Sequence, residues 1–165
     1  IGSDILDEVA ADCAYVKLDI TNADAVEIAI TEVNPDVVIH CAAWTAVDAA
    51  EDKENLSKVR AINVDGTQNI ANVCKKLDCK MIYISTDYVF DGQGTEPWQP
   101  DCKDYAPQNV YGQTKLDGEL AVSNTLDKYF IVRIACYGKR ILQVKTKTGR
   151  ENIRIVYCAG RCNAG

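Results

Sequence analysis

Three continuous apolar runs, separated by helix-length segments, constrain the fold of this chain more tightly than any other feature. They are Val37-Val38-Ile39-His40-Cys41-Ala42-Ala43, Lys80-Met81-Ile82-Tyr83-Ile84-Ser85 and Tyr129-Phe130-Ile131-Val132-Arg133-Ile134. A strand with one wet face alternates apolar and polar residues, so runs like these predict strands covered on both faces. A helical stretch from about Glu54 to Leu77 lies between the first two, with Val59, Ile62, Ile70, Val73 and Leu77 on its apolar side. A second helix, from about Val110 to Ser123, precedes the third run.

Upstream, Tyr15-Val16-Lys17-Leu18-Asp19-Ile20 is a shorter strand-like run, and Asn22-Ala23-Asp24 offers helix-start chemistry. Val26, Ala29, Ile30 and Val33 give that helix an apolar face. Asn34-Pro35-Asp36 stops it, because proline disfavours helical geometry in the residue before it. A turn-rich loop runs from Asp87 to Asn109, with Asp91-Gly92-Gln93-Gly94, Pro97, Pro100 and Pro107. No internal repeat is visible. Strands alternating with helices imply right-handed crossovers, a parallel sheet and a doubly wound α/β fold of the Rossmann type. Ligands in such folds sit at the carboxyl ends of the strands.

Charge and cysteine usage narrow the partners. The net charge of -6 argues against nucleic acid or an anionic membrane surface as the main partner. No stretch approaches the roughly 18 apolar residues of a membrane span, and Ile1-Gly2-Ser3-Asp4 has no signal-peptide character. The eight cysteines therefore read as reduced thiols of a cytoplasmic protein. Cys74/Cys79 and Cys158/Cys162 lack zinc-knuckle spacing and His40 is remote from them, so no metal site is expected.

The strand ends are where chemistry is to be sought. Tyr111 and Lys115 are four apart on a helix, which puts phenol and ammonium on one face. A nearby ammonium favours phenolate and makes the tyrosine a usable acid or base near neutral pH. With eight tyrosines in the chain, this spacing alone also fits a solvated helix face. Ser85-Thr86-Asp87 adds hydroxyls at the end of the second run, where they can bond a substrate carbonyl or simply cap the strand. Cys41-Ala42-Ala43 ends the first run with small side chains that let a ligand approach the backbone, and Thr45 adds a hydroxyl. Tight packing of the strand exit is the alternative. Asp19-Ile20 can flank an adenine ring or open the next helix.

Taken together, these segments resemble the dTDP-4-dehydrorhamnose reductase family of the extended short-chain dehydrogenases. The resemblance rests on four stretches in the family's order and spacing. They are His40-Cys41-Ala42-Ala43-Trp44-Thr45-Ala46-Val47-Asp48-Ala49-Ala50-Glu51, Ile62-Asn63-Val64-Asp65-Gly66-Thr67, Tyr83-Ile84-Ser85-Thr86-Asp87-Tyr88-Val89-Phe90-Asp91-Gly92, and Pro107-Gln108-Asn109-Val110-Tyr111-Gly112-Gln113-Thr114-Lys115-Leu116 with Glu119. The resemblance implies hydride transfer from NADPH or NADH to the C4 carbonyl of a nucleotide-linked 4-keto-6-deoxy sugar. In that reading Tyr111 protonates the nascent alkoxide, Lys115 holds the nicotinamide ribose and tunes Tyr111, and Thr86 orients the carbonyl. Asp19 and Ile20 border the adenine. Cys41, Ala42, Ala43, Thr45 and Ser85 line the pyrophosphate and nicotinamide side, while Val47 and Asp48 face substrate.

The sequence also departs from the family. No G-x-x-G-x-x-G element occurs, and Ile1-Gly2-Ser3-Asp4 reads as the end of the second strand. The expectation is an incomplete Rossmann-type sheet missing its first strand, Gly-rich turn and first helix, with apolar faces and an edge left bare. Asp4 at that strand end leans toward NADH. After Arg133-Ile134-Ala135 the family commonly has Trp, where this chain has Cys136-Tyr137-Gly138. Residues 1–138 are expected to form a partial dinucleotide-binding domain, and 139–165 an irregular tail or remnant of a sugar-binding domain, with activity impaired. A homodimer stays open. So do two other functions. One is another sugar-nucleotide enzyme of the superfamily, an epimerase or a dehydratase: Asp87 after Thr86 alone allows a dehydratase, while Tyr88-Val89-Phe90-Asp91-Gly92 favours the reductase. The other is a non-catalytic subunit, since the β-subunit of methionine adenosyltransferase resembles the same family.

Overall fold

Asn22 opens the first helix as the sequence predicts, its side-chain oxygen accepting the Ala25 N–H at 3.1 Å. The computed structural model in which this cap is seen describes residues 1–7, 13–93, 96 and 98–134. The tail reading, the Cys136 departure, the domain boundary at 138 and the Cys158/Cys162 pair lie outside the described residues.

Two short parallel strands come first, β1 (Gly2–Asp4) and β2 (Tyr15–Lys17). Helix α1 (Ala23–Val33) follows and ends at Asn34, which adopts the left-handed conformation at φ 44° while its N–H bonds Ile30 O. Asn34 thus leaves the helix through the one helix-exit geometry that asparagine tolerates well, ahead of Pro35. Strand β3 (Val37–His40) leads through the short 3-10 turn Asp48–Glu51 to helix α2 (Leu56–Arg60). A π-helical turn, Ala61–Gly66, joins α2 to helix α3 (Thr67–Lys76). Strand β4 (Lys80–Thr86), a 3-10 turn (Asp87–Val89), helix α4 (Val110–Thr125) and strand β5 (Tyr129–Ile134) complete the described chain.

The strands form two sheets, β1-β2 and β3-β4-β5, all pairs parallel. Among the described residues no strand joins β1 to β3. The expected helical stretch between the first two apolar runs is present, interrupted by the π-turn. The first apolar run leaves the ladder earlier than expected: β3 pairs with β4 from Val37↔Lys80 to His40↔Tyr83 and no further. The backbone beyond is taken up by a side chain of the π-turn, as described below.

The core lies between the larger sheet and its helices. Val26 and Ile30 of α1, Ile70 and Val73 of α3, and Val122 of α4 pack against Met81 and Tyr83 of β4. Connections that advance β3 to β4 to β5 in one direction, each right-handed, put their helices on one face. The opposite face carries Val37, Ile39, Phe130 and Ile134, each about 40% exposed. Cover on both faces, the expectation from the apolar runs, is therefore not complete within the described residues, and the apolar face foreseen for an incomplete sheet is observed.

Candidate active site

The N-terminus of α4 is built to hold its first turn in one place. Asn109 caps it, with Oδ1 accepting the Gly112 N–H at 2.7 Å, and the Glu51 carboxylate accepts the Val110 N–H at 2.6 Å. Gly112 has no room for a side chain: a Cβ there would lie 2.2 Å from Tyr88 O. This contact brings the strand-end segment onto the helix beside Tyr111. Tyr111 is half-buried and meets the Tyr88 ring edge-on, at 5.7 Å between centroids.

Lys115, one turn on, is withdrawn from solvent. Its Nζ donates to Ile84 O at 2.7 Å and sits 4.0 Å from the centre of the Tyr83 ring. The sequence foresaw an ammonium facing an open cleft; the structure buries it at 2% exposure, against the backbone of the strand end. Burial pulls its pKa from 10.5 down to about 7, against the opposing pull of Glu119 and then Cys41. His40 lies behind it, its Nε2 3.0 Å from Thr67 Oγ1. Because Thr67 gives its own hydroxyl proton to Asn63 O at 2.8 Å, the imidazole is the donor in that pair. Burial first, and the Lys115 charge second, hold His40 neutral, with a pKa near 3.

The strand-end hydroxyls are already engaged. Ser85 Oγ donates to Glu119 Oε1 at 2.6 Å. Thr86 Oγ1 donates to Asp87 Oδ1 at 3.2 Å and accepts the Tyr88 N–H at 3.3 Å, capping the 3-10 turn. Capping, the plainer of the two sequence readings, is thus what Thr86 does here, in a position next to the Lys115 anchor. Asp19 Oδ1 accepts the Thr21 N–H and hydroxyl at 2.9 and 2.8 Å, in the turn ahead of Asn22, which opens α1. Ile20 packs against Gly66, and its carbonyl accepts Asn69 Nδ2 at 3.0 Å. Asp4, at the end of β1, accepts the Leu6 N–H at 3.3 Å.

Cys41, Ala42, Thr45 and Asp48 are exposed along the segment after β3, with Ala43 and Val47 half-buried. What shapes this segment is Asn63, a residue the sequence reading quoted in a motif and gave no role. From the buried π-turn its Oδ1 accepts the Trp44 N–H at 2.8 Å, and its Nδ2 donates to Thr114 Oγ1 at 3.0 Å and to Trp44 O at 3.4 Å. It thereby ties the Cys41–Thr45 segment to the helix bearing Tyr111 and Lys115. Its burial and its place in a π-turn, features common at functional sites, are visible only in the fold. Glu51 and Arg133 were also passed over. Their partners are 59 and 14 residues away in sequence, beyond any local pattern. Among the described residues no group of three or more His, Cys, Asp or Glu side chains could hold a metal ion, and no helix is long and apolar enough to cross a membrane.

Parallel strands joined by helical crossovers, with a Tyr-x-x-x-Lys helix laid against a hydroxyl-bearing strand end, define a Rossmann-like α/β fold of the short-chain dehydrogenase class. The family model for the RmlD substrate binding domain matches residues 4–150, and the chain belongs to that family. A dTDP-4-dehydrorhamnose reductase from Streptomyces griseus is 44% identical over 119 residues, covering 72% of this chain and 38% of the relative. A crystal structure of a dTDP-4-dehydrorhamnose reductase ortholog from Clostridium acetobutylicum superimposes with a TM-score of 0.69 at 40% identity, over 79% of this chain and 48% of that one. The corresponding enzyme from Bacillus anthracis, solved in complex with NADP, gives 0.66 at 38% identity, over 75% and 44%. The chain thus spans less than half the length of each of these relatives.

Proposed function

We propose that this chain provides the catalytic part of a reductase that uses NADPH or NADH to reduce the C4 carbonyl of a nucleotide-linked 4-keto-6-deoxy sugar, dTDP-4-dehydrorhamnose to dTDP-rhamnose. The observation that carries the reading is the meeting of α4 with the end of β4. Tyr111 stands one turn before Lys115, and Lys115 is anchored at Ile84 O beside Ser85 and Thr86. The named relatives, dTDP-4-dehydrorhamnose reductases all, point to the same reaction.

The residues present fit the nicotinamide side of a dinucleotide. Cys41, Ala42 and Ala43 offer a backbone unshielded by large side chains, pinned in place by Asn63. Thr45 and Ser85 border it, Lys115 would hold the ribose, and Asp19 and Ile20 would flank the adenine. When bound, the reduced nicotinamide supplies the hydride. The chain's own contribution is protic and geometric. Thr86 turns its hydroxyl from Asp87 to the substrate carbonyl. Tyr111 delivers its phenolic proton to the oxygen as negative charge develops there, and Lys115 stabilises the phenolate left behind. Val47 and Asp48 border the sugar. A cytosolic setting agrees with the cysteines, since none of those among the described residues is in a disulfide.

The test is a product assay with dTDP-4-dehydrorhamnose. A reductase consumes one reduced cofactor for each sugar converted. Turnover of the sugar with the cofactor recycled would replace this reading with an epimerase or dehydratase.

A further inference from the structure

A buried ion pair outside the Tyr-Lys-Thr set reaches that set from behind. Glu119 lies on α4 four residues after Lys115 and eight after Tyr111, so the three share one helix face. It is 2% exposed. Its Oε1 accepts from Ser85 Oγ at 2.6 Å and from Arg133 Nε at 2.9 Å, and its Oε2 accepts from Arg133 Nη2 at 2.7 Å. The guanidinium on β5 continues outward, with Nη2 donating to Tyr105 Oη at 2.9 Å and Nη1 to Cys102 O at 3.4 Å. It also lies over the Phe90 and Tyr105 rings, 5.2 Å from each centre. One fork-shaped cation therefore fastens the loop after β4 to the helix that bears the proposed acid.

We propose that Glu119 and Arg133 are positioning residues for the reductase, Glu119 setting the charge and place of Lys115 and Arg133 locking Glu119 to the loop that walls the site. The inference rests on the reading of Tyr111 and Lys115 given above. Its first support is adjacency: Glu119 holds Ser85, and the carbonyl of the preceding residue, Ile84, holds Lys115. The carboxylate and the ammonium thus grip neighbouring residues of one strand end. Its second support is the inventory of groups around Lys115. His40 and Cys41 act on it from β3 and the segment beyond, Tyr83 lies against it from β4, and Glu119 acts on it from α4. Arg133 on β5 pairs with the Glu119 carboxylate. His40 is neutral, so Glu119 is the chief influence that opposes the lowering of this amine's pKa by burial. A third point concerns stability. An apolar pair of similar volume often joins helix to sheet as well as a buried ion pair does. Packing alone therefore does not call for these residues.

The experiment follows the Lys115 amine by NMR through a pH titration of the full chain with labelled lysine, and the pH profile of kcat in parallel. Glu119→Gln is expected to lower the Lys115 midpoint by about one pH unit or more, to move the basic limb of the kcat profile with it, and to cut kcat more than it raises KM. Arg133→Lys, which keeps the charge, is expected to leave the Lys115 midpoint within about half a unit of its original place. If Glu119→Gln does not fold, Glu119→Asp withdraws the carboxylate by one methylene, and the same downward shift is expected at smaller size. An unmoved Lys115 midpoint in a folded Glu119 variant, with only the melting temperature reduced, would overturn the proposal and leave a structural ion pair. Turnover by the unsubstituted chain that Tyr111→Phe leaves unchanged would instead count against the reductase reading. The NMR titration needs no turnover, so the two failures are separable.

Discussion

Asn63 holds Trp44 by both of its backbone polar groups, accepting the N–H at 2.8 Å and donating to the carbonyl at 3.4 Å. The segment after β3 is therefore shaped by a side chain of the π-turn, where a strand ladder would otherwise have continued. Asn63→Ala leaves the Trp44 N–H without this acceptor, while the Thr114 hydroxyl keeps its bond to Tyr111 O. Leaving such an N–H unsatisfied costs about 1–3 kcal/mol. Chemical denaturation should show that loss, and calorimetric titration should show cofactor binding weakened beyond what the lost stability explains.

Gly112 sits where Tyr88 O approaches the first turn of α4, and a Cβ would come within 2.2 Å of that oxygen. The obstacle is backbone and cannot rotate away. Gly112→Ala should destabilise the fold by about 1–3 kcal/mol, as overpacking does, and should displace Tyr111 from the strand end. Thermal unfolding measures the first effect, and a kcat loss larger than that of a remote variant of equal stability measures the second. Gly118→Ala meets Tyr83 Oη at 2.4 Å and Asn63 O at 2.7 Å and should destabilise similarly while leaving the first turn in place.

His40 makes the fold sensitive to acid. Its pKa is lowered by burial, from 6.5 to about 3. Between those values the unfolded chain binds more protons than the folded one, so stability is full above about pH 6.5 and falls as pH drops toward 3. His40→Gln keeps a donor for Thr67 and removes the titration. Denaturant melts across this range should show a shallower acid loss in the variant than in the parent.

Asp4 ends β1 with its carboxylate exposed. A carboxylate at that position favours a ribose diol over a 2′-phosphate. Titration is expected to show tighter binding of NADH than of NADPH, and Asp4→Ala should erase the difference. Tighter NADPH binding by the unsubstituted chain would defeat this assignment.

Much of the fold was legible because it rests on local pattern. Asn22 and Asn34 mark the ends of α1, and the third apolar run coincides with β5 from Tyr129 to Ile134. Continuous apolar runs located β3, β4 and β5 but could not show which strand faces are covered, since covering depends on which way each crossover turns. The site was legible as a set of motifs and much less so as geometry. Tyr111 and Lys115 share a helix face as their spacing requires, yet only the packing of Tyr83 and Ile84 shows Lys115 turned inward. Asn63, Glu51 and the Glu119–Arg133 pair act through contacts between distant segments, which neither periodicity nor spacing encodes.

The central claim, that Tyr111 is the proton donor of a carbonyl reductase, is tested most directly by comparing the chain with its Tyr111→Phe variant in oxidation of reduced cofactor by dTDP-4-dehydrorhamnose. The account predicts an unchanged melting temperature, cofactor affinity within about twofold, and a kcat lower by about 10²–10⁴-fold, the usual contribution of a positioned acid. A folded Tyr111→Phe variant that turns over as fast as the parent would contradict it.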